Sequence, residues 1–213
     1  MKKYELTAEF IEKWGKKLFR IKALISFGSV EVGELGGYVE KEDNLAQDGN
    51  AWVCGDARVY GNAEVCGDAE VYGNAEVYGD ARVCGDAEVY GNAWVCGNAE
   101  VYGNAWVCGN AEVYGDARVC GDAEVYGNAD YLLIGRIGSR FSFTTFFKNK
   151  DKGITVSCGC FLGTIAEFRA KVTDTHGNNK HAKMYNLAAD MAELQILGEE
   201  HFDKLNTNKS EPF

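Results

Sequence analysis

Long apolar runs are missing from this 213-residue sequence, and none approaches the roughly 18 residues that a membrane-spanning helix needs. The N terminus lacks a signal-peptide pattern, so we expect a protein of the reducing cytosol with no membrane partner. Basic residues are scarce in the middle of the chain, where residues 51–128 carry three arginines against thirteen acidic residues. This acidic segment repels polyanions, which argues against nonspecific binding of nucleic acid.

The sequence is rich in one six-residue word, which occurs thirteen times from residue 51 to residue 128. The word reads Ala, then Glu, Arg or Trp, then Val, then Tyr or Cys, then Gly, then Asp or Asn. A period of six does not match the about 3.6 residues of a helical turn, whereas it is typical of a solenoid. We therefore predict coils of three hexads, with valines stacked inside, alanines in the corners, and glycine with Asn or Asp in the turns.

Written from the valine, the word Val-x-Gly-Asn/Asp-Ala-x resembles the hexapeptide repeat of left-handed parallel β-helices. The resemblance implies an all-β solenoid of that class and the trimeric assembly common among hexapeptide-repeat proteins. The flanking motifs are Gly33-Glu-Leu-Gly-Gly37, Ile134-Gly-Arg-Ile-Gly-Ser-Arg140, Thr144-Thr-Phe-Phe147, Ser157-Cys-Gly-Cys-Phe161 and Thr175-His-Gly177. Their order resembles hexapeptide-repeat proteins of bacteriophages and prophages, which implies a viral setting in the cytosol of a bacterial host.

The residues around the hexads divide the chain into four predicted segments. These are an N-terminal cap of a helix and strands (1–44), the β-helix (45–128), a C-terminal α+β module (129–197) and a loose tail (198–213). In the cap, Phe10, Ile11, Trp14 and Leu18 lie at helical spacing. This spacing predicts an amphipathic helix over residues 4–17.

The C-terminal module is predicted to combine strands with two helices. Residues 131–160 are rich in Ile, Thr, Phe and Val with Gly and Asn or Asp between them, which is typical of three short strands and hairpins. Thr164 and Glu167 have the spacing of a capping box and predict a helix that ends at Gly177. A second helix is predicted over residues 179–197.

Side chains 18 positions apart stack in columns on three outward faces, because three hexads make one coil. One column alternates Glu64, Arg82, Glu100 and Arg118, so that opposite charges become neighbours. The columns of Cys and Tyr are candidate surfaces for another subunit or for a flat ligand. The alternative is that Cys and Tyr are interchangeable fillers at a solvent-facing position.

Six of the eight cysteines occupy the Tyr/Cys position of the hexads, and the other two are Cys158 and Cys160. This pattern predicts free thiols, even for Cys66 and Cys84, which stack one layer apart. Cys158-Gly-Cys160 lacks the second cysteine pair of a metal site, so we predict no metal and no other cofactor. Two interpretations of this motif stay open: a nucleophilic thiol activated by His176, and two small buried residues at a strand end.

The segment from Ile134 to Lys148 has the composition of an anion-binding site. Its glycines free backbone amides, its arginines offer forked donors and its hydroxyls neighbour aromatic rings, which suits a phosphate joined to a flat ring. The candidate ligand-binding residues are Arg136, Ser139, Arg140, Thr144, Thr145, Phe147 and Lys148. The alternative is a solvated hairpin whose arginines pair with the acidic repeats.

From these features we expect a non-catalytic homo-oligomer that binds or sequesters a small anionic, nucleotide-like ligand, for example a host immune signalling nucleotide. No catalytic residue is assigned. One alternative is an enzyme similar to hexapeptide acyltransferases, in which a histidine is the general base near a subunit interface. Against it, His176, His181 and His201 all lie outside the hexads, and no loop interrupts the hexads. A second alternative is a structural spacer.

Overall fold

The computed structural model describes residues 2–201, which form two compact units. The first unit ends at Asp122 and the second begins at Ala123. The first is a parallel β-solenoid, and the second combines an antiparallel sheet with two helices. The predicted fold class, an all-β solenoid of hexapeptide repeats with a C-terminal α+β module, is confirmed. Of the predicted tail 198–213, residues 202–213 lie outside the described part.

The strands of the first unit form three sheets. The chain begins with β1 (Tyr4–Lys13), β2 (Lys16–Ala23) and β3 (Leu35–Val39). The hexads then add strands of two residues each: β4 (Trp52–Val53), β5 (Arg58–Val59), β6 (Glu64–Val65), β7 (Glu70–Val71), β8 (Glu76–Val77), β9 (Arg82–Val83), β10 (Glu88–Val89), β11 (Trp94–Val95), β12 (Glu100–Val101), β13 (Trp106–Val107), β14 (Glu112–Val113) and β15 (Arg118–Val119). The sheet orders in this unit are β1-β2-β3-β5-β8-β11-β14, β4-β7-β10-β13 and β6-β9-β12-β15.

The interior of the solenoid is made of two residue types, as the repeat predicts. The valine of every hexad is fully buried, and the corner alanines are at most 1 % exposed. Each turn contains a glycine with a positive φ, which is +71° at Gly67. A Cβ atom at Gly67 would lie 2.9 Å from the backbone nitrogen of Gly85 in the next coil. The close stacking of the coils therefore excludes a side chain at this turn position.

The helix predicted over residues 4–17 is wrong, because these residues form β1 and the turn into β2. β1 pairs antiparallel with β2 through a two-residue turn at Trp14 and Gly15, which both have positive φ. Such a turn matches the twist of paired strands and closes a hairpin. The neighbouring strand supplies hydrogen bonds that override the helical spacing of Phe10 and Ile11.

Polar side chains near the N terminus close the first coil of the solenoid. Lys3 is 2 % exposed, and its Nζ donates to the carbonyl oxygens of Ala51 at 3.0 Å and Asp48 at 3.3 Å. The Tyr4 hydroxyl donates a hydrogen bond to the carbonyl oxygen of Leu45 at 2.8 Å. Carbonyl groups at the end of a solenoid lack a preceding strand, so these side chains provide the donors that the coil cannot.

The outward faces carry the predicted columns of side chains. Arg82 Nε lies 3.2 Å from a carboxylate oxygen of Glu64, as expected for the column of alternating charges. On another face the rings of Tyr72 and Tyr90 stack with their centroids 4.8 Å apart. Tyr60 departs from the outward pattern, since it is 7 % exposed and packs against residues of β2 and β3. The N-terminal strands thus cover part of the face that carries Tyr60.

The structure joins Cys66 and Cys84 in a disulfide, so the predicted absence of disulfides is wrong for this pair. The two Cα atoms lie 4.8 Å apart, within the usual range for a bridge. Both residues follow strands that pair in register, β6 and β9, and this stacking brings the two sulfur atoms together. The other six cysteines in the described part of the chain form no disulfide.

The second unit begins with β16 (Glu124–Val125) and a short 3-10 helix (Asn128–Asp130). Its sheet follows chain order as β17 (Tyr131–Ile137), β18 (Ser142–Lys148), β19 (Ile154–Cys158) and β20 (Phe161–Thr164), one strand more than predicted. The helices α1 (Ile165–His176) and α2 (Lys180–Leu197) follow. They share a core with the sheet that includes Phe146, Val156, Phe168, Ala189 and Ile196.

The first helix begins and ends where the capping signals predict, and the second lies within the predicted range 179–197. The Thr164 hydroxyl accepts from the backbone N–H of Glu167, and the Glu167 carboxylate accepts from the backbone N–H of Thr164 at 2.8 Å. α1 ends at Gly177, and the Asn179 side chain caps the start of α2. Across residues 2–201, no helix combines the length and the apolar character that crossing a bilayer would require.

Candidate functional site

The second unit contains a cavity of about 200 Å³ between its sheet and its helices. The turn that joins β17 to β18 supplies Ser139 and Arg140, and the turn that joins β19 to β20 supplies Gly159 and Cys160. α1 and α2 supply the opposite side. The cavity therefore lies where two hairpin ends meet the helices.

A glycine allows the first of these turns to approach the helices. Gly138 has a φ of +74°, a conformation that side chains disfavour. A Cβ atom at this position would overlap the hydroxyl group of Tyr185 on α2. Gly138 thus brings the backbone that carries Ser139 and Arg140 directly against the Tyr185 ring.

Two polar side chains of the lining, Cys158 and Tyr185, are neighbours, and Thr144 contacts Cys158. The Thr144 hydroxyl donates to Cys158 Sγ at 3.2 Å, and Cys158 is also hydrogen-bonded to the Tyr185 hydroxyl. Burial, together with the neighbouring Cys158, raises the pKa of Tyr185, while the positive charge of Arg140 acts in the opposite direction. Tyr185 is therefore a neutral phenol at physiological pH and offers a polar group at the base of the cavity.

Three basic side chains line the cavity: Arg140, Lys171 and His176. Arg140 and Lys171 are exposed, and Lys171 Nζ pairs with Asp174 at 3.4 Å on the surface of α1. Arg140 has no ion-pair partner anywhere in residues 2–201. The His176 ring stacks on Tyr185 with the centroids 5.7 Å apart. The cavity thus combines positive charge with an aromatic surface.

Apolar side chains complete the wall of the cavity. Phe161 from β20 and Phe168 from α1 are tilted rings with centroids 5.6 Å apart, and Val172 lies one turn further along α1. Phe168 also meets Tyr185 edge to face. These contacts belong to the core of the unit, so the side chains that face the cavity are held in place by packing.

Comparison with known protein families gives a match within the hexads. The model of the YdcK beta solenoid repeat matches residues 81–97, which lie within the hexads. The chain is a β-solenoid repeat protein. No curated protein matches this β-solenoid repeat protein at a significant level.

Of the predicted site residues, the structure places two in the lining of the cavity, Ser139 and Arg140. Thr144 is not part of the lining and is hydrogen-bonded to a residue that is, Cys158. Arg136 is exposed on β17 and is not part of the lining. Lys148 lies at the other end of β18, roughly 20 Å from Ser142 along the strand, and its Nζ pairs with Asp130 at 3.0 Å.

Thr145 and Phe147 lie on the face of β18 opposite Thr144, because side chains alternate along a strand. Both are buried, with exposed fractions of 2 % and 0 %. Consecutive side chains of a strand point to opposite faces of the sheet, so they cannot all contact one ligand. The seven-residue set predicted from the sequence therefore does not form a single cluster.

The lining residues that sequence reasoning missed include Lys171 and Tyr185, and it interpreted three others differently. The sequence treats Cys158, Cys160 and His176 as a motif separate from Arg140, whereas the structure places all three around the same cavity as Arg140. The sequence contains a signal for Lys171 and His176. They follow the buried Phe168 and Val172 by three and four positions, which places them beside these residues on a helix. In the described residues, no group of His, Cys, Asp or Glu side chains is arranged to hold a metal ion.

Proposed function

We propose that this protein is a non-catalytic oligomeric binding protein whose C-terminal module holds a small anionic ligand in the cavity beside Arg140. The single observation that supports it most is the unpaired, exposed guanidinium of Arg140 at a cavity that also receives Lys171 and His176. A guanidinium binds phosphate or carboxylate through paired, charge-assisted hydrogen bonds. The Ser139 hydroxyl offers a further donor at the same turn.

The cavity size limits what the ligand would bury. About 200 Å³ is below the roughly 300–1,000 Å³ of pockets that enclose a drug-sized molecule. We propose that a phosphate group and the edge of one ring enter the cavity, with the ring against Tyr185 and His176. A nucleotide has both a phosphate and a ring, so our proposed ligand is a host signalling nucleotide. In this proposal a phage or prophage protein sequesters the nucleotide in the bacterial cytosol.

The solenoid is assigned a supporting role in this proposal. The hexads carry thirteen acidic residues against three arginines, so an anionic ligand would be repelled there. Solenoids of hexapeptide repeats commonly form trimers, and we propose the same assembly for this chain. The module would then be displayed in several copies on one acidic scaffold.

The test compares ligands that differ only in the phosphate group. Binding of inorganic phosphate, adenosine monophosphate and a cyclic dinucleotide is measured by calorimetry, with uncharged adenosine as the control. We expect the phosphate compounds to bind and adenosine to bind at least tenfold more weakly. Arg140→Ala should weaken binding about 10- to 100-fold, because a hydrogen bond to a charged group contributes about 1.5–3 kcal/mol.

Arg136→Ala is the matched control, since it removes the same charge from the neighbouring strand outside the cavity. It should bind like the parent protein. Equal losses in both variants would mean that the arginines act only through general charge. Binding that survives Arg140→Ala unchanged would contradict the proposed site.

A second candidate function is acyl transfer, which is favoured by one observation: His176 lines the cavity together with Cys158 and Cys160. A histidine beside an acceptor group can act as a general base. Turnover of a thioester donor, lost in His176→Ala and kept in His181→Ala, would support this function. Absence of both turnover and phosphate binding would leave the structural spacer as the function.

A further inference from the structure

The helix α2 has two apolar faces, of which only one is covered by the described residues of the module. The inner face includes Ala182, Tyr185, Ala189 and Ile196, which are buried against the sheet and α1. The outer face carries Met184, Leu187, Met191 and Leu194, which are 39 %, 64 %, 57 % and 45 % exposed. Helices on the surface of a protein usually have one apolar stripe, with charged and polar residues opposite to it. The outer stripe of α2 therefore requires an explanation of its own.

The spacing of the outer stripe is that of a helix–helix seam. Successive residues are three, four and three positions apart, which is the a and d pattern of a heptad. Single exposed apolar residues are common on protein surfaces, whereas four large ones in a continuous line over three turns mark a contact surface. A partner that presents a helix with the same spacing would fill the gaps between these side chains.

We propose that the outer stripe of α2 is a two-fold interface through which the helices of two copies of this chain pack antiparallel. A two-fold axis beside residue 189 places Met184 opposite Leu194 of the partner subunit, and Leu187 opposite Met191 of the partner subunit. Each contact then occurs twice, because a two-fold interface uses the same surface on both copies. The stripe is complementary to itself in this arrangement.

Charge complementarity selects the antiparallel direction. Lys180 and Lys183 are exposed at the start of α2, and Glu199 and Glu200 are exposed just beyond its end. Antiparallel packing brings the two lysines of one copy close to the two glutamates of the other. Parallel packing would bring lysine against lysine and glutamate against glutamate. Opposite ends of helix dipoles also become neighbours in the antiparallel pair.

This contact is independent of the ligand cavity, because the outer stripe and Tyr185 lie on different faces of α2. It is also independent of any assembly through the solenoid faces. A monomer would become a dimer, and a trimer held by the solenoid would become a hexamer. The interface is small, below about 1,200 Å² in total, so association is expected in about the micromolar range.

The test is sedimentation velocity of the full chain, from about 1 to about 100 μM, for the parent and for Leu187→Glu. We expect the limiting mass of the parent to fall by half in Leu187→Glu. The matched control is Leu162→Glu, which introduces the same change at a leucine that is 52 % exposed on β20, away from the stripe. It should assemble like the parent. Circular dichroism of the helices checks that each variant is folded.

A charge exchange tests the direction of packing. Lys180→Glu with Lys183→Glu should weaken association at least tenfold, and adding Glu199→Lys with Glu200→Lys should restore it. Restoration requires that one end of α2 meets the opposite end in the other copy. The proposal is overturned if the parent does not associate up to about 100 μM, if Leu187→Glu keeps the parent mass, or if the fourfold charge exchange fails to restore association.

Discussion

The solenoid and the C-terminal module are built by opposite rules. In the solenoid each side chain has as neighbours the residues 18 positions before and after it, so each column of the surface is built from the few residue types of one position of the repeat. In the module, the cavity draws Arg140, Cys158, Lys171 and Tyr185 from two turns and two helices. The first arrangement repeats one chemical environment, and the second gathers different ones.

This difference explains why the candidate site lies in the smaller, irregular unit. Recognition of a small ligand needs several unlike groups at defined positions around one point. Stacked hexads provide charge pairs such as Arg82 with Glu64 and ring pairs such as Tyr72 with Tyr90, but each is a pair of neighbours in one column. The repeating unit should therefore depend more strictly on its stacking than the module depends on any one contact.

The largest effect is expected for Gly67→Ala in the solenoid. The new Cβ would lie 2.9 Å from the backbone nitrogen of Gly85, and φ is +71°, so a steric clash is added to backbone strain. We expect a loss of about 3 kcal/mol in the free energy of unfolding. All four tryptophans, at positions 14, 52, 94 and 106, lie in the first unit, so their fluorescence during denaturation measures this loss.

Gly121→Ala is the control for this prediction. Its φ of +67° is nearly the same, but nothing lies within 4 Å of the new Cβ atom. Only the backbone strain remains, so the expected loss is about 1 kcal/mol. Equal losses at the two glycines would show that contact between coils does not limit this turn, and the stacking argument would fail.

Two buried glutamates give an intermediate effect and compare the units directly. Glu76 and Glu193 are each 6 % exposed. Glu76 in the solenoid forms ion pairs with Lys13 and with Arg58, the latter at 3.2 Å. Glu193 in the module pairs with Arg169 at 2.7 Å. Glu76→Gln leaves two cations without their acid and should cost about 2 kcal/mol, measured by tryptophan fluorescence.

Glu193→Gln should cost only about 1 kcal/mol, because Arg169 keeps a second acid, Asp190, at 2.8 Å. The helical circular dichroism signal follows this variant, since α1 and α2 both belong to the module. A larger loss at Glu193 than at Glu76 would contradict this comparison, in which Glu76 joins Lys13 of the N-terminal hairpin to the solenoid.

The solenoid could be predicted from the sequence because its long-range contacts repeat at a constant interval. Once the period of six is recognised, the burial of Val59, Val77 and Val95 and the pairing of Arg82 with Glu64 follow by counting. The hairpin of β1 and β2 could not be predicted in this way. Its pairing is a tertiary contact formed once, and the helical spacing of its apolar residues pointed elsewhere.

The candidate site was predicted only in part for a related reason. The sequence brought attention to Arg140 and Ser139 because they are close together in the chain. Lys171 and Tyr185 lie 31 and 45 positions beyond Arg140, and no repeat relates them to it. The stretch Thr144 to Phe147 was treated as one surface, whereas strand alternation divides it between two faces. Proximity in sequence was thus mistaken for proximity in space.

The smallest effect we predict is a pH dependence that differs between the units. In the solenoid, burial first and hydrogen bonds to cysteine second raise the pKa of Tyr78 and of Tyr102 to about 12. The ordinary pKa of a tyrosine side chain, expected in the unfolded chain, is 10.0. Below pH 10 both tyrosines are protonated in both states, so their stabilising contribution is complete. Between pH 10 and 12 they ionise only in the unfolded chain, and the free energy of unfolding falls.

Lys3 acts in the opposite direction, because burial lowers its pKa from 10.5 to about 8. Between these values the unfolded chain binds more protons, so the free energy of unfolding rises with pH. The tryptophan signal should therefore report a stability that increases from pH 8 to about 10 and decreases from 10 to 12. Lys3→Met should remove the increase, and Tyr78→Phe with Tyr102→Phe should reduce the decrease.

The module contains Tyr185, whose pKa is also raised by burial, but no buried lysine among its described residues. Its helical signal should consequently show the decrease without the preceding increase, and an identical profile for the two units would remove the assigned role of Lys3.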